Sequence, residues 1–283
     1  MGLFLPYRIN SRCLLIAVSW LLLISCNMRN ILNQPQIPGN PIDPTNSEYV
    51  PPRVDVFLPM VHDTLDTSYA RIEWKGVGAD SLDYQYSFHL DDRPWSEWLN
   101  QESMEYDYLE EGPHSFEIKS KYTLSGAEQE TPYTLPFVVD DIQGPGIMVT
   151  PRYQTLSAGN ETEIKVWAEE VSSVMGAEIS LSYNPGQLEI LSIEPASFFK
   201  GSDGQIIFFS EKDNVNGTAN IVVVTAAGTQ PMVSGSGPIA GINFRALSNS
   251  IAKIRINSSS RYMNVNDESL PIIDIGNGFI EID

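Results

Sequence analysis

VMGAEISLSYNPGQLEIL, residues 174–191, alternates apolar and polar residues with a period of two. Ala177, Ile179, Leu181 and Tyr183 therefore share one face of a strand, and Gly176, Glu178, Ser180 and Ser182 share the other. Asn184, Pro185 and Gly186 then supply turn residues, and LEIL resumes an extended pattern. A strand with one apolar and one polar face belongs to an antiparallel sheet that covers a core on one side only.

The same reading extends through the C-terminal half. IMVTP, TEIKVWAEE, VMGAEISLSY, LEILSI, QIIFFSE, TANIVVVTAA, IAGINFRAL, AKIRIN and GFIEID read as nine strands with almost no helical periodicity, which specifies a sandwich or jelly roll. Upstream, DDIQGPG (140–146) is a Pro/Gly hinge. Before it, Ile72 and Trp74, then Tyr84, Tyr86, Phe88 and Leu90, then Phe116 and Ile118 alternate with polar neighbours, so residues 52–141 predict a second half-buried antiparallel sandwich.

The N-terminus reads differently. Arg8 and Arg12 precede the apolar run CLLIAVSWLLLIS, which is shorter than most membrane spans and ends at Cys26. LISC, Leu23 to Cys26, resembles the bacterial lipobox, whose cysteine is lipidated and becomes the new N-terminus. The resemblance implies a lipoprotein signal over residues 1–25, Cys26 as the lipidation site, and export to the cell envelope, at the outer membrane or cell surface. Residues 26–51, rich in Pro and Asn, then read as a solvated tether of roughly 30 Å root-mean-square span.

Lys+Arg of 17 against Asp+Glu of 36 gives a net charge of −19, and loss of Arg8 and Arg12 with the signal, which carries no acid, would take it to −21. Such a chain lacks the clustered cations that a phosphate backbone needs, so nucleic acid is not an expected partner. Cys13 would leave with the signal and Cys26 would carry lipid, which leaves no disulfide and no cysteine metal site. No Ser, Cys or His catalytic motif occurs, and residues 145–283 contain no His, so no catalytic residue, metal site or cofactor is expected. The oxygen-rich stretches DNVNG (213–217) and NVNDE (264–268) read as turns, with calcium as the other use of such residues.

Two resemblances follow from the quoted stretches. WSEW (95–98), YLEEGPHSFEIKSKY (108–122) and TPYTLPFVVD (131–140) resemble bacterial immunoglobulin-like or fibronectin type III-like domains. That resemblance makes His114 a loop-to-strand packing residue and favours packing over sugar stacking for Trp95 and Trp98. SAGNETEIKVWAEEV, MGAEISLSYNPGQLEIL, GSGPIAGINFRAL and the closing NGFIEI resemble the cohesin family over residues 145–283. Asn184 stands where cohesins commonly have Asp. The predicted fold is all-β, an immunoglobulin-like β-sandwich followed by a nine-stranded cohesin-like jelly roll.

Cohesins bind dockerin modules on the outer face of one sheet, so the resemblance implies a protein partner bearing a dockerin-like module, in a setting of extracellular polysaccharide degradation. Carbohydrate-binding modules share the fold, which keeps polysaccharide as the alternative ligand. On this chain the expected partner-binding residues are Glu178, Ser180, Ser182, Asn220, Val222, Val224, Lys253 and Arg255. The consecutive Ile221, Val222, Val223 and Val224 put apolar side chains on both faces of one strand, Phe208 and Phe209 do the same on another, and Lys253 and Arg255 are expected beside Glu178.

Metabolic labelling with a fatty-acid analogue is expected to tag the wild-type chain and not Cys26→Ala; equal labelling of the two would remove the lipid anchor.

Overall fold

The computed structural model describes residues 39–79, 83–200, 205–226 and 232–283. The expected signal over residues 1–25 and the expected lipidation site Cys26 lie outside the described residues. Among those described, the only helical segment is a single 3₁₀ turn at Phe198–Lys200, and the fold is all-β.

The first unit contains β1 (Arg53–Leu58), β2 (Thr64–Leu65), β3 (Ala70–Val77), β4 (Tyr84–Leu90), β5 (Ser103–Tyr106), β6 (Gly112–Tyr122) and β7 (Tyr133–Val139). Sheets ordered β1-β3-β5 and β2-β7-β6-β4 enclose a core around Trp74, whose ring lies 5.0 Å from Phe88 and 5.7 Å from Phe116. The inward residues are those that the period of two selects, because each strand has one dry and one wet face.

His114 fills the packing role expected of it. Its ring is buried against Phe137, Nδ1 lies 2.8 Å from the Asp91 carboxylate, and Nε2 lies 2.9 Å from the Glu110 carbonyl. Trp95 and Trp98 lie against lysines of β6: Lys119 Nζ is 5.3 Å from one ring centroid and 5.1 Å from the other, and Lys121 Nζ is 4.3 Å from Trp98. These cation–π contacts tie the segment after β4 to the strand beside it.

The second unit begins with β8 (Gly146–Thr150), β9 (Tyr153–Leu156), β10 (Glu161–Val174), β11 (Gly176–Ser182), β12 (Leu188–Pro195) and β13 (Ile206–Asp213). It continues with β14 (Thr218–Thr225), β15 (Val233–Ala246), β16 (Ser250–Ile256), β17 (Arg261–Met263), β18 (Ser269–Leu270), β19 (Asp274–Gly276) and β20 (Gly278–Ile282). All nine expected strands are present; β9, β17, β18 and β19 are short additions. One sheet runs β12-β15-β10-β8-β19, and the other runs β13-β14-β11-β16-β20-β9 with β17 and β18 attached beside β11. Ile164, Val166, Ile179, Leu181, Ile221, Ile242, Phe244 and Ile254 fill the space between them. Where β10 carries extra residues, at Glu170 and Ser173, the backbone adopts positive φ and each N–H donates to a serine of β15, which keeps Val171 and Val174 pointing inward.

The two units meet at Tyr108, Leu109, Glu110 and Glu111, the segment entering β6. Glu110 accepts hydrogen bonds from the Thr150 hydroxyl and the Arg152 backbone N–H. Glu111 accepts from the backbone N–H groups of Asp141 and Ile142 within the hinge, each at 3.1 Å. Arg152, only 7% exposed, donates to Asp141 and lies 3.8 Å from Glu111. Burial nevertheless pushes the Glu111 carboxyl up to about 7, against the opposing pull of the two N–H donors and of Arg152.

The expected solvated tether needs correction over its described part. Two Asx turns, at Asp43 and Asn46, fold residues 39–50 back, and Ile42 packs with Ala79 and Tyr122. The Tyr122 hydroxyl accepts from Ala79 N–H and donates to the Val50 carbonyl. Ile42 and Tyr49 are apolar punctuation in a polar stretch, and they find the open end of the first sandwich.

Two outcomes are expected. The fragment 145–283 should melt in one cooperative transition, because its core is closed by its own two sheets; a fragment that stays unfolded until the first unit is added would overturn the boundary. For Glu111, the folded chain holds a proton that the unfolded chain releases above its ordinary value of 4.5. Its contribution to stability is therefore full below that value and lost as pH rises through about 7. Denaturation from pH 4.5 to 8 should show the wild type losing ground to Glu111→Gln over this window; parallel curves would refute the shift.

Candidate partner-binding face

β11 sits inside the larger sheet with its apolar side chains buried, so its polar residues form the outer face. Seven consecutive residues of β11 pair with β14, from Gly176↔Val224 through Glu178↔Val222 and Ser180↔Asn220 to Ser182↔Thr218. β14 pairs in turn with β13, placing Ile207 opposite Val224, Phe209 opposite Val222 and Glu211 opposite Asn220. A continuous outer surface follows: Ile207, Phe209, Val222 and Val224 at one end, and Glu211, Asn220, Ser180 and Ser182 farther along.

Ile207 is 65% exposed and Phe209 61%, while Val222 and Val224 are half-buried between them and β11. Exposed neighbouring apolar side chains with a polar border have the anatomy of an interface. Phe208, of opposite parity, packs on the core. Phe199 is buried in the same core, so the described part of the loop before β13 turns inward.

Glu178 is paired, but with neither expected cation. Arg261 lies directly opposite it on β17, with Nε at 2.8 Å and Nη2 at 2.7 Å from Oε2. β16 meets β11 only at Leu181↔Ile256 and Ser182↔Arg255. The chain then turns through Asn257 to Ser260 and re-enters as β17 beside Gly176 to Glu178. Lys253 and Arg255 do face outward, but Arg255 stands four residues along from Glu178, about 13 Å at a strand's rise, and Lys253 farther still. The expectation of adjacency is corrected by that turn.

The polar residues are held in place. The Ser182 hydroxyl donates to Asn257 Oδ1 at 2.9 Å, Asn257 Nδ2 donates to the Ser180 hydroxyl at 3.0 Å, and Ser180 N–H donates to the Ser260 hydroxyl at 3.0 Å. Gly176 is buried: a Cβ there would lie 2.6 Å from the Val223 carbonyl oxygen and 3.2 Å from the Met263 methyl, so this position requires glycine. Asn184 makes the turn after β11, its side-chain oxygen accepting from Gly186 N–H. Asp213 and Asn264 likewise accept backbone N–H bonds within their own turns, and the Asn216 carboxamide, together with the backbone N–H groups of Asn216 and Val215, holds the Asp213 carboxyl below the usual carboxylate range.

Residues 149–281 match the family model of the cohesin domain. Among solved structures, the sixth cohesin of scaffoldin B from Acetivibrio cellulolyticus, in complex with a mutant Cel5 dockerin, is similar at 17% identity, covering 50% of this chain and 100% of that one with a TM-score of 0.42. A non-cellulosomal cohesin from the hyperthermophilic archaeon Archaeoglobus fulgidus is 16% identical over 49% of this chain and 90% of its own, with a TM-score of 0.40. The Coh-OlpA–Doc918 complex from Clostridium thermocellum gives 10% identity, 49% and 99% coverage and a TM-score of 0.40. Comparison with curated protein sequences returns no match.

Proposed function

We propose that this chain is a lipid-anchored, non-catalytic envelope protein whose cohesin-like unit binds a dockerin-type protein partner on the outer face of β13, β14 and β11. The observation carrying this reading is the apolar group of exposed Ile207 and Phe209 with half-buried Val222 and Val224 on the sheet face, inside a segment that matches the cohesin family. A protein helix laid across such a surface would desolvate these four side chains, and central apolar anchors supply most of the energy of interfaces of this kind. The LISC stretch supports lipidation at Cys26, and the segment that follows it would hold the two sandwiches off the bilayer. A link to extracellular polysaccharide degradation follows from the partner class. Direct carbohydrate binding is the competing outcome of the test below.

Phe209→Asp and Val222→Asp are expected to weaken binding by about 2 kcal/mol or more, roughly 30-fold, and to exceed the effect of Glu178→Ala. Phe209 is exposed enough for its variant to fold, and melting curves on each protein separate lost affinity from lost structure. The measurement is titration of the full chain with a panel of dockerin modules and with insoluble glucans. Tight glucan binding that ignores all three changes, with no dockerin bound, would sink the protein-binding reading.

A further inference from the structure

At β16 the outer face carries positive charge, where the chain as a whole is acidic. Lys253 and Arg255 project from β16 beside a shallow depression that Ser182, Tyr183, Asn184 and Gln187 complete. Among the described residues neither cation makes an ion pair; Lys253 Nζ rests 5.1 Å from the Phe279 ring centroid. The carboxylates that could have neutralised them are engaged elsewhere. Glu178 is held by Arg261, Asp213 by its own turn, and Glu281, opposite Ile251 on β20, accepts from the Tyr153 hydroxyl. Glu211, exposed on β13, stands three strands away from β16, about 15 Å by strand spacing and beyond the screening length at physiological salt. In a chain of net charge −19, two adjacent cations left unpaired on the same sheet face as the apolar group, at its far end, are a local reversal of sign.

We infer that the docked partner is selected by acidic residues: its helix seats apolar side chains on Ile207, Phe209, Val222 and Val224 and presents aspartate or glutamate to Lys253 and Arg255. This rests on the docking reading above and adds the chemistry and spacing of the partner. Phe209 lies on the rung of Glu178, whereas Arg255 lies on the rung of Ser182, three strands across the sheet. Strand rise and spacing put the two ends roughly 20 to 25 Å apart. A helix covers that distance in about 13 to 17 residues, so the carboxylates stand three to five turns from the apolar anchors. Between the ends, Ser180, Ser182 and Asn220 offer hydroxyl and carboxamide groups to a polar helix surface. A partner with lysine or arginine at the same place would meet like charge, so these cations choose among partners that the apolar end alone accepts.

The test titrates the full chain with purified dockerin modules graded by the charge of the helix face they present, at low and at physiological salt. The modules bound by the wild type should carry Asp or Glu at that spacing. The double change Lys253→Glu with Arg255→Glu should weaken them at least tenfold, with most of the salt dependence lost, and reversing the module's carboxylates to lysine should restore binding. Neither cation has an ion pair to lose, so the fold is expected to persist, and the melting curve checks it. Dockerin binding that Phe209→Asp abolishes but the double charge reversal leaves unchanged overturns this inference alone. Failure of the wild-type chain to bind any module overturns the docking reading and this inference with it.

Discussion

The continuous pairing of β11 with β14 governs the rest of the second sandwich. Seven rungs hold Ala177, Ile179 and Leu181 against the core, and the same rungs fix Ile221 and Val223 inward opposite them. A slip of one residue would bury Glu178, Ser180 and Ser182 without partners and expose the apolar set, a penalty of several kcal/mol for a single desolvated carboxylate. The register is thus locked from the core side, and the outer face inherits its order from it. Phe209, Val222, Glu178 and Arg261 line up because their neighbours beneath cannot move.

The junction between the sandwiches extends that order toward the N-terminus. Glu110 and Glu111 together hold the backbone on both sides of the hinge, and Arg152 closes the group over Asp141. Tyr108 stands over Tyr153 and 4.4 Å from Phe279, the ring on which Lys253 rests. The cationic end of the face is therefore continuous, through packed aromatic rings, with the first sandwich. At the other end of the first sandwich, Tyr122 on β6 ties residues 39–50 to the β4–β6 sheet.

How much of this was legible in the sequence depends on whether a pattern is local. The alternation in residues 177–183 and 252–257 gave parity without ambiguity, since polar and apolar types differ at every step. Ile206 to Phe209 offer no such contrast, and which pair faces outward is decided by the hairpin turn from Asp213 to Gly217, which sets the register with β14. Ile207 and Phe209 were therefore absent from the expected site residues although they are the most exposed apolar residues of β13 and β14. Arg261 was missed for another reason: its strand spans three residues and has no period to read. Its place beside Glu178 depends on a turn held by Asn257 and Ser260, side chains whose role appears only once β11 is next to them. The packing of Ile42 is likewise a matter of what lies open nearby.

An exposed phenylalanine and isoleucine on a flat sheet are an aggregation hazard that the strong net negative charge offsets by mutual repulsion between copies. Fully burying such a side chain is worth about 1.5 to 3 kcal/mol, and Val222 and Val224 are already half-buried, so the four together do not greatly exceed the cost of bringing two molecules together. In the proposed complex the apolar end alone would hold a partner only loosely, and small contributions elsewhere on the face would decide which partner stays. Lys253, half-buried against Phe279, and the exposed Arg255 have no internal carboxylate to leave, so they can form a new pair without first breaking an old one. Glu178, by contrast, would have to release Arg261 before pairing with a partner, so the proposed docking would put selection at the β16 end of the sheet and adhesion at the β13 end.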